Sequence, residues 1–160
     1  MSIAETAGAV DHAAALAWYH RWLDAWNSHD PEQVRPLVTD DFVLESPTTR
    51  HTGWSVVGPD QARDYLAYVM RAYPDLTWER TLPPMYAAHE PRAAFWWRGT
   101  GTFTGVLDPP GISGTGRAFT FEGIEVFDFR GDRATRLRAA YDLHGLMKQI
   151  GVSRSPSRSA

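Results

Sequence analysis

The chain has 160 residues, 43% of them hydrophobic and 22% charged, with a formal charge of −3 and no cysteine. This is one domain's worth of chain with enough apolar residue to bury a core. The composition excludes disulfides, thiolate chemistry and cysteine-bound zinc, and argues against a broad nucleic-acid-binding face. No apolar run approaches the ~20 residues of a membrane span, and the opening Met1–Thr6 carries no basic leader, so a cytoplasmic protein is expected.

Residues 1–10 and 152–160 are small, polar and low in complexity, and read as disordered tails around a domain at 11–151. Asp11 is placed to cap a first helix running to Asn27. Leu16, Tyr19, Leu23 and Trp26 recur at helical spacing, and so do Trp18 and Trp22, so the apolar surface is wider than one stripe. Asp30-Pro31-Glu32-Gln33 opens a short second helix that ends before Thr39. Phe42–Ser46 is a short strand stopped by Pro47, and 47–57 is a loop holding His51. Gly58-Pro59-Asp60 opens a helix that Pro74 stops.

Beyond Leu76 the pattern is strand-like. Met85–His89 and Ala93–Phe103 flank the turn Glu90-Pro91-Arg92, and Ala118–Arg130 and Ala134–Tyr141 flank Gly131-Asp132, which predicts two hairpins. Residues 104–117 form a Gly/Pro-rich loop, and a short helix from Leu143 to Ile150 closes at Gly151. Helices followed by antiparallel strands predict an α+β fold. A curved, mostly antiparallel sheet wraps around the long N-terminal helix and the shorter ones, as a cone-shaped α+β barrel with an open mouth for a ligand.

Period two along 121–129 places Phe121, Gly123, Glu125, Phe127 and Phe129 on one face. A carboxylate among phenylalanines is costly unless protonated or paired. Burial should raise the pKa of Glu125 into the range of a general acid or base, unless Arg98 or Arg138 neutralises it. The same alternation puts Phe95, Trp97, Gly99, Gly101 and Phe103 together, the glycines leaving room for a ligand or a bend. Trp97 is a flat wall for a substrate or a core residue, and Tyr65 and Tyr141 add hydroxyls. No metal-ligand spacing, phosphate loop or G-x-S-x-G motif stands out, so no cofactor and no metal are expected.

Three stretches carry a family resemblance. They are Trp26-Asn27-Ser28-His29-Asp30 through Asp40-Asp41-Phe42, Gly99-Thr100-Gly101-Thr102-Phe103-Thr104-Gly105 with Gly114-Thr115-Gly116-Arg117, and Gly123–Phe127 with Tyr141–Leu146. In order and spacing they resemble the nuclear-transport-factor-two-like fold, and within it the SnoaL-like polyketide cyclases. The resemblance implies a cofactor-independent enzyme that closes a ring in a hydrophobic, carbonyl-bearing intermediate. The alternatives are an isomerase or epoxide-opening enzyme in the same pocket, or a binding module without chemistry. Glu125 matches the cyclases' acid/base aspartate with one extra methylene. Trp22 holds the place of the isomerases' tyrosine donor, with Tyr19 beside it. Ser46 replaces the isomerases' shuttling aspartate, leaving adjacent Glu45 as a candidate if the strand is shifted by one. Phe103 stands where the cyclases carry a histidine, which makes this pocket more apolar. His51 at the mouth is a candidate base or donor, and Phe127 a further apolar wall. The fold commonly pairs through its outer sheet face, where Trp96, Ile124 and Val126 are the apolar candidates, so a homodimer is expected.

Overall fold

A computed structural model describes residues 2–3 and 8–152. Helix α1 (His12–Asn27) starts where Asp11 accepts a hydrogen bond from the Ala14 N–H at 2.9 Å. Its buried residues, Ala15, Trp18, Tyr19, Trp22, Ala25 and Trp26, share one broad face. A single 3-10 helix (Pro31–Leu37) follows, capped by Asp30; Pro36 inside it removes a donor and keeps it from continuing as an α-helix. Strand β1 (Val38–Glu45) leads to α2 (Pro47–Thr52), β2 (Val56–Val57) and α3 (Gly58–Ala72).

The expected loop at 47–57 is therefore corrected to a helix and an edge strand. Ser46 and Thr49 cap α2 reciprocally, Pro47 takes its first turn, and Gly53 ends it with φ 73°. Strands β3 (Thr77–Arg80), β4 (Met85–Tyr86) and β5 (Arg92–Thr102) come next. Within the expected 104–117 loop lies a small hairpin, β6 (Val106–Leu107) and β7 (Ile112–Ser113). Strands β8 (Ala118–Arg130) and β9 (Arg133–Tyr141) and helix α4 (Leu143–Gln149) complete the order.

The main sheet runs β2-β1-β9-β8-β5-β3, with β4 also paired to β5. Among the described strands of this sheet only β1 and β9 pair in parallel; the rest are antiparallel. The fold is thus the expected α+β cone with a curved sheet, open at both edges instead of closed into a barrel. No helix of the described residues is long and apolar enough to cross a membrane.

The inner sheet face and α1 make an aromatic core. Trp18 meets Phe127 and Phe129 edge-on at 4.7 and 5.1 Å, and Tyr19 stacks on Phe95 at 3.9 Å. The Trp18 N–H donates to the Leu37 carbonyl at 3.0 Å, so this ring is satisfied as core. Of the expected N-terminal tail, residues 1 and 4–7 lie outside the described residues, while Ile3 and Val10 are buried. The Ile3 N–H donates to the Gly131 carbonyl at 2.8 Å, because an isoleucine amid polar neighbours gains by docking on the β8–β9 turn. The expected C-terminal tail lies outside the described residues apart from Val152.

Candidate active site

Strand β8 carries Glu125 between Phe95 of β5 and Ala139 of β9. The alternation turns its side chain inward, where the residue is 8% exposed. Helix α1 lies across it and supplies two donors. The Tyr19 hydroxyl donates to Oε1 at 2.8 Å and the Trp22 indole N–H donates to Oε2 at 3.2 Å. These residues are three apart, so they fall on the same helix face. Burial pushes the Glu125 carboxyl up to about 7, against the two hydrogen bonds that favour its charged form. Burial and the adjacent Glu125 push Tyr19 well above the usual tyrosine range, so it stays protonated and remains a donor.

Among the described residues no arginine forms an ion pair with this acid. Arg98 pairs with Glu79 at 3.2 Å and Arg138 with Asp128 at 3.1 Å, on the opposite face of the sheet. The two partners supplied by α1 are both neutral, which leaves the carboxyl free to change charge near neutral pH.

Glu125 opens on a cavity of about 100 Å³ enclosed between the sheet, α3, α4 and α2. Trp97, Phe121, Leu137 and Ala139 form apolar walls, and His51 and Thr52 stand at the mouth. Two hydroxyl pairs border the same cavity. Ser46 and Tyr65 share a hydrogen bond of 3.0 Å, and Thr48 and Tyr141 one of 2.6 Å. Burial holds Tyr65 well above the usual tyrosine range.

The inner-face glycines, of which Gly99 and Gly101 were expected to leave room for a ligand or a bend, have their space filled by aromatic rings. A Cβ on Gly99 would meet the Phe121 ring at 2.7 Å, one on Gly101 the Phe119 ring at 2.9 Å, and one on Gly123 the Trp97 ring at 2.6 Å. Each ring sits over a glycine of the next strand, so the aromatic residues fold flat against the sheet.

The candidates from the sequence separate into three groups. Glu125, His51, Tyr65 and Trp97 all border the cavity. Tyr19 and Trp22 were expected on the substrate; they are fully buried behind Glu125 and spend their donors on it. Phe103 and Phe127 were expected as walls; Phe103 packs edge-on against Tyr73 and Phe127 against Trp18 and Trp22, inside the core. Glu45 is a clear correction. It points outward, its side chain 40% exposed, and pairs with Arg136 at 2.6 Å. That guanidinium holds its carboxyl below the usual range. The register shift of this strand lies between Val38 and Val43 and does not swing it inward: beyond it Glu45 lies opposite Arg138 and Leu44 opposite Leu137. Ser46, one residue on, is the inward residue.

Sequence reasoning missed Thr48 and the helix that presents it. The signal was available in Ser46-Pro47 followed by Gly53, a helix start and stop six residues apart. Among the described residues no three His, Asp or Glu side chains cluster as a metal site requires.

A family profile described as "SnoaL-like domain" matches residues 19–137. No curated protein sequence matches the chain. Among solved structures, TsrD from Streptomyces laurentii is 20% identical, with 90% of this chain and 99% of that one covered and a TM-score of 0.73. A putative SnoaL-like polyketide cyclase from Jannaschia sp. CCS1 is 16% identical, covering 89% and 95%, also with a TM-score of 0.73. A hypothetical protein of ketosteroid isomerase-like fold from Catenulispora acidiphila, in complex with trimethylamine, is 16% identical, covering 85% and 93%, with a TM-score of 0.68. At these identities the likeness concerns the fold.

Proposed function

Because this chain belongs to the SnoaL-like domain family, we propose that it is a cyclase that uses Glu125 to move a proton in a hydrophobic carbonyl compound. The observation that carries this reading is a buried carboxyl near pH 7 with two neutral donors, bordering an apolar cavity. Above pH 7 Glu125 is a carboxylate. It removes a proton from the carbon beside a carbonyl, and the C–H electron pair becomes an enolate. The enolate carbon attacks a second carbonyl of the same molecule, forming the ring bond. The alkoxide that results takes the proton back from Glu125, so nothing is consumed. The apolar walls hold the two ends together, which supplies much of the acceleration of an intramolecular reaction.

About 100 Å³ is below the roughly 300–1,000 Å³ of drug-sized pockets. It suits the reacting end of a substrate, with the remainder at the mouth beside His51. Epoxide opening assisted by Glu45 loses its second carboxylate, since that residue is paired on the outer face. Trp96 lies beside Ile124, and Ala94 beside Val126, in a half-exposed apolar strip on that face, which supports pairing of two copies there. Molecular mass in solution checks the pairing.

The chemistry is tested without knowing the substrate. A set of small hydrophobic ketones and β-dicarbonyl compounds is incubated with the protein in heavy water. Deuterium entry beside the carbonyl is then followed by NMR. Exchange that rises with pH through about 7 and disappears in Glu125→Gln is the expected result. Equal exchange by the variant and the parent would remove Glu125 from the reaction.

A further inference from the structure

Glu125 takes its hydrogen bonds from Tyr19 and Trp22, which leaves two other indoles that border the cavity, Trp78 and Trp97, without a part in the proton transfer. We propose that these two N–H groups, with the charge of Arg80 beside them, bind a carboxylate on the substrate. The substrate class narrows to an enolisable carbonyl compound that also carries a carboxylate away from its reacting carbon. That class rests on the reading of Glu125 as the base; the carboxylate site itself does not.

Among the described residues, the buried side-chain polar atoms without a hydrogen-bond partner are Trp78 Nε1, Arg80 Nε and Trp97 Nε1. All are donors, and none can accept. A buried donor without an acceptor is costly, so such groups are rare in a core. These also occupy adjoining positions. Trp78 and Arg80 are two residues apart on β3, about 7 Å along one face, and Arg80 lies directly opposite Trp97 on β5. The Trp78 and Trp97 rings meet edge to face, with 4.5 Å between centroids. Donors alone, gathered in one corner of the inner face, fit a ligand rich in acceptors.

Charge selects the ligand. Arg80 forms no ion pair among the described residues, and its Nη1 donates to the Leu82 carbonyl at 2.7 Å. No carboxylate of the described chain balances its charge, and on the buried Nε side that charge is screened little. It is felt at the Tyr19 hydroxyl, inside the core, where it favours the negative form. An ammonium ligand would meet this charge and two indole N–H groups with the wrong sign. A neutral amide or ester would leave the charge unbalanced. A carboxylate has acceptor sites for both indoles and carries the matching charge. Trp78 and Trp97 border the cavity and Arg80 does not, so Arg80 is a positioning residue that acts on the carboxylate by its field. Glu125 lies opposite Phe95, two residues before Trp97 on β5, so the base and the carboxylate site are neighbours that hold different parts of one substrate. A cavity of about 100 Å³ keeps the group held there compact.

Indole N–H resonances report on these two groups directly. The protein is labelled with nitrogen-15, and the Trp78 and Trp97 signals are identified as those lost in Trp78→Phe and Trp97→Phe. Propionate is the probe and propionamide, of nearly the same shape, its neutral counterpart, both at pH 6, with thermal unfolding as the check on folding. Propionate should move both signals downfield and saturably. It should bind about tenfold or more tightly than propionamide, the scale of a hydrogen bond to a charged group. Arg80→Gln should weaken propionate about tenfold and leave propionamide unchanged, a pattern that loosened packing would not give, and Arg80→Lys should restore most of the loss. If Arg80→Gln fails to fold, the ratio of the two probes in the parent decides. No saturable shift at either indole, equal binding of the two probes, or propionate binding by Arg80→Gln within twofold of the parent overturns the assignment. Glu125→Gln should keep the propionate shifts. Full deuterium exchange in that variant, with the shifts intact, would sink the base and leave the carboxylate site standing.

Discussion

Glu125 and Glu45 are two glutamates on one sheet, separated by strand β9, and they have opposite fates. Glu125 faces inward, meets two neutral donors, and has its carboxyl pushed up to about 7 by burial. Glu45 faces outward, meets Arg136 at 2.6 Å, and is held below the usual range. The side-chain period of two decides which environment each receives, and the environment decides whether the acid can titrate in the working pH range. The inner face carries one ionisable acid among aromatic rings. The outer face carries Arg92–Asp128–Arg138, Arg136–Glu45 and Arg98–Glu79 pairs around Trp96, Ile124 and Val126.

The sharpest way to break the comparison is to neutralise each acid. Glu125→Gln should lower deuterium exchange about a hundred- to ten-thousandfold, the usual reach of a positioned acid or base. Glu45→Gln should change it by less than about twofold. Equal losses would mean that the two faces are not chemically distinct.

Stability gives the next largest effect. A carboxyl that titrates at 4.5 unfolded and about 7 folded binds its proton more tightly in the native state. Its contribution is fully present below pH 4.5, declines as the pH rises through about 7, and is lost above it. At about 1.4 kcal/mol per pH unit, the decline is on the order of 3 kcal/mol. Denaturant unfolding of the parent and of Glu125→Gln across this window should show the decline in the parent alone. A parent curve parallel to the variant's would mean that residue 125 is not buried as a free acid.

Much of this contrast was legible in the chain. Phe121, Gly123, Glu125, Phe127 and Phe129 alternate with Glu122, Ile124, Val126 and Asp128, which identifies the inward acid without a structure. The order of the longer helices and strands and the two expected hairpins, the first of them only two residue pairs long, followed from capping, proline stops and turn residues. What periodicity could not show is which long-range partner an inward group finds. Tyr19 and Trp22 look the same on a helical wheel whether they contact a substrate or Glu125, 106 and 103 residues away. The parallel pairing of β1 with β9, which turns Glu45 out and Ser46 in, joins distant parts of the chain and leaves no local mark. Gly99 and Gly101 were ambiguous for the same reason, because the rings that cover them belong to another strand.

The donors behind Glu125 offer a finer adjustment. Tyr19→Phe removes the 2.8 Å hydrogen bond to Oε1 while keeping the ring stacked on Phe95. That hydrogen bond favours the carboxylate, so without it the pKa rises, and the midpoint of the exchange rate should move up by about one pH unit. Trp22→Phe removes the longer 3.2 Å contact and should move it less. A midpoint that stays near 7 in both variants would show that burial alone sets the titration.

The smallest effect belongs outside. The Arg136–Glu45 pair is short, but both side chains are more than a third exposed, at 38% and 40%, so solvent screens most of the attraction. Breaking it with Glu45→Gln should cost less than about 1 kcal/mol near neutral pH, and the difference should shrink as salt is added. Its sign with pH is opposite to that of Glu125. A carboxyl held below its usual range stabilises the fold above its unfolded pKa, and that contribution is lost as the pH falls through the folded one. The two glutamates should therefore give stability differences of opposite slope from a single set of unfolding curves, with the buried acid giving the larger one. A salt-insensitive loss of several kcal/mol at Glu45 would mean that the outer face is covered, and a second copy of the chain on the Trp96–Ile124 strip is the cover that face was inferred to carry.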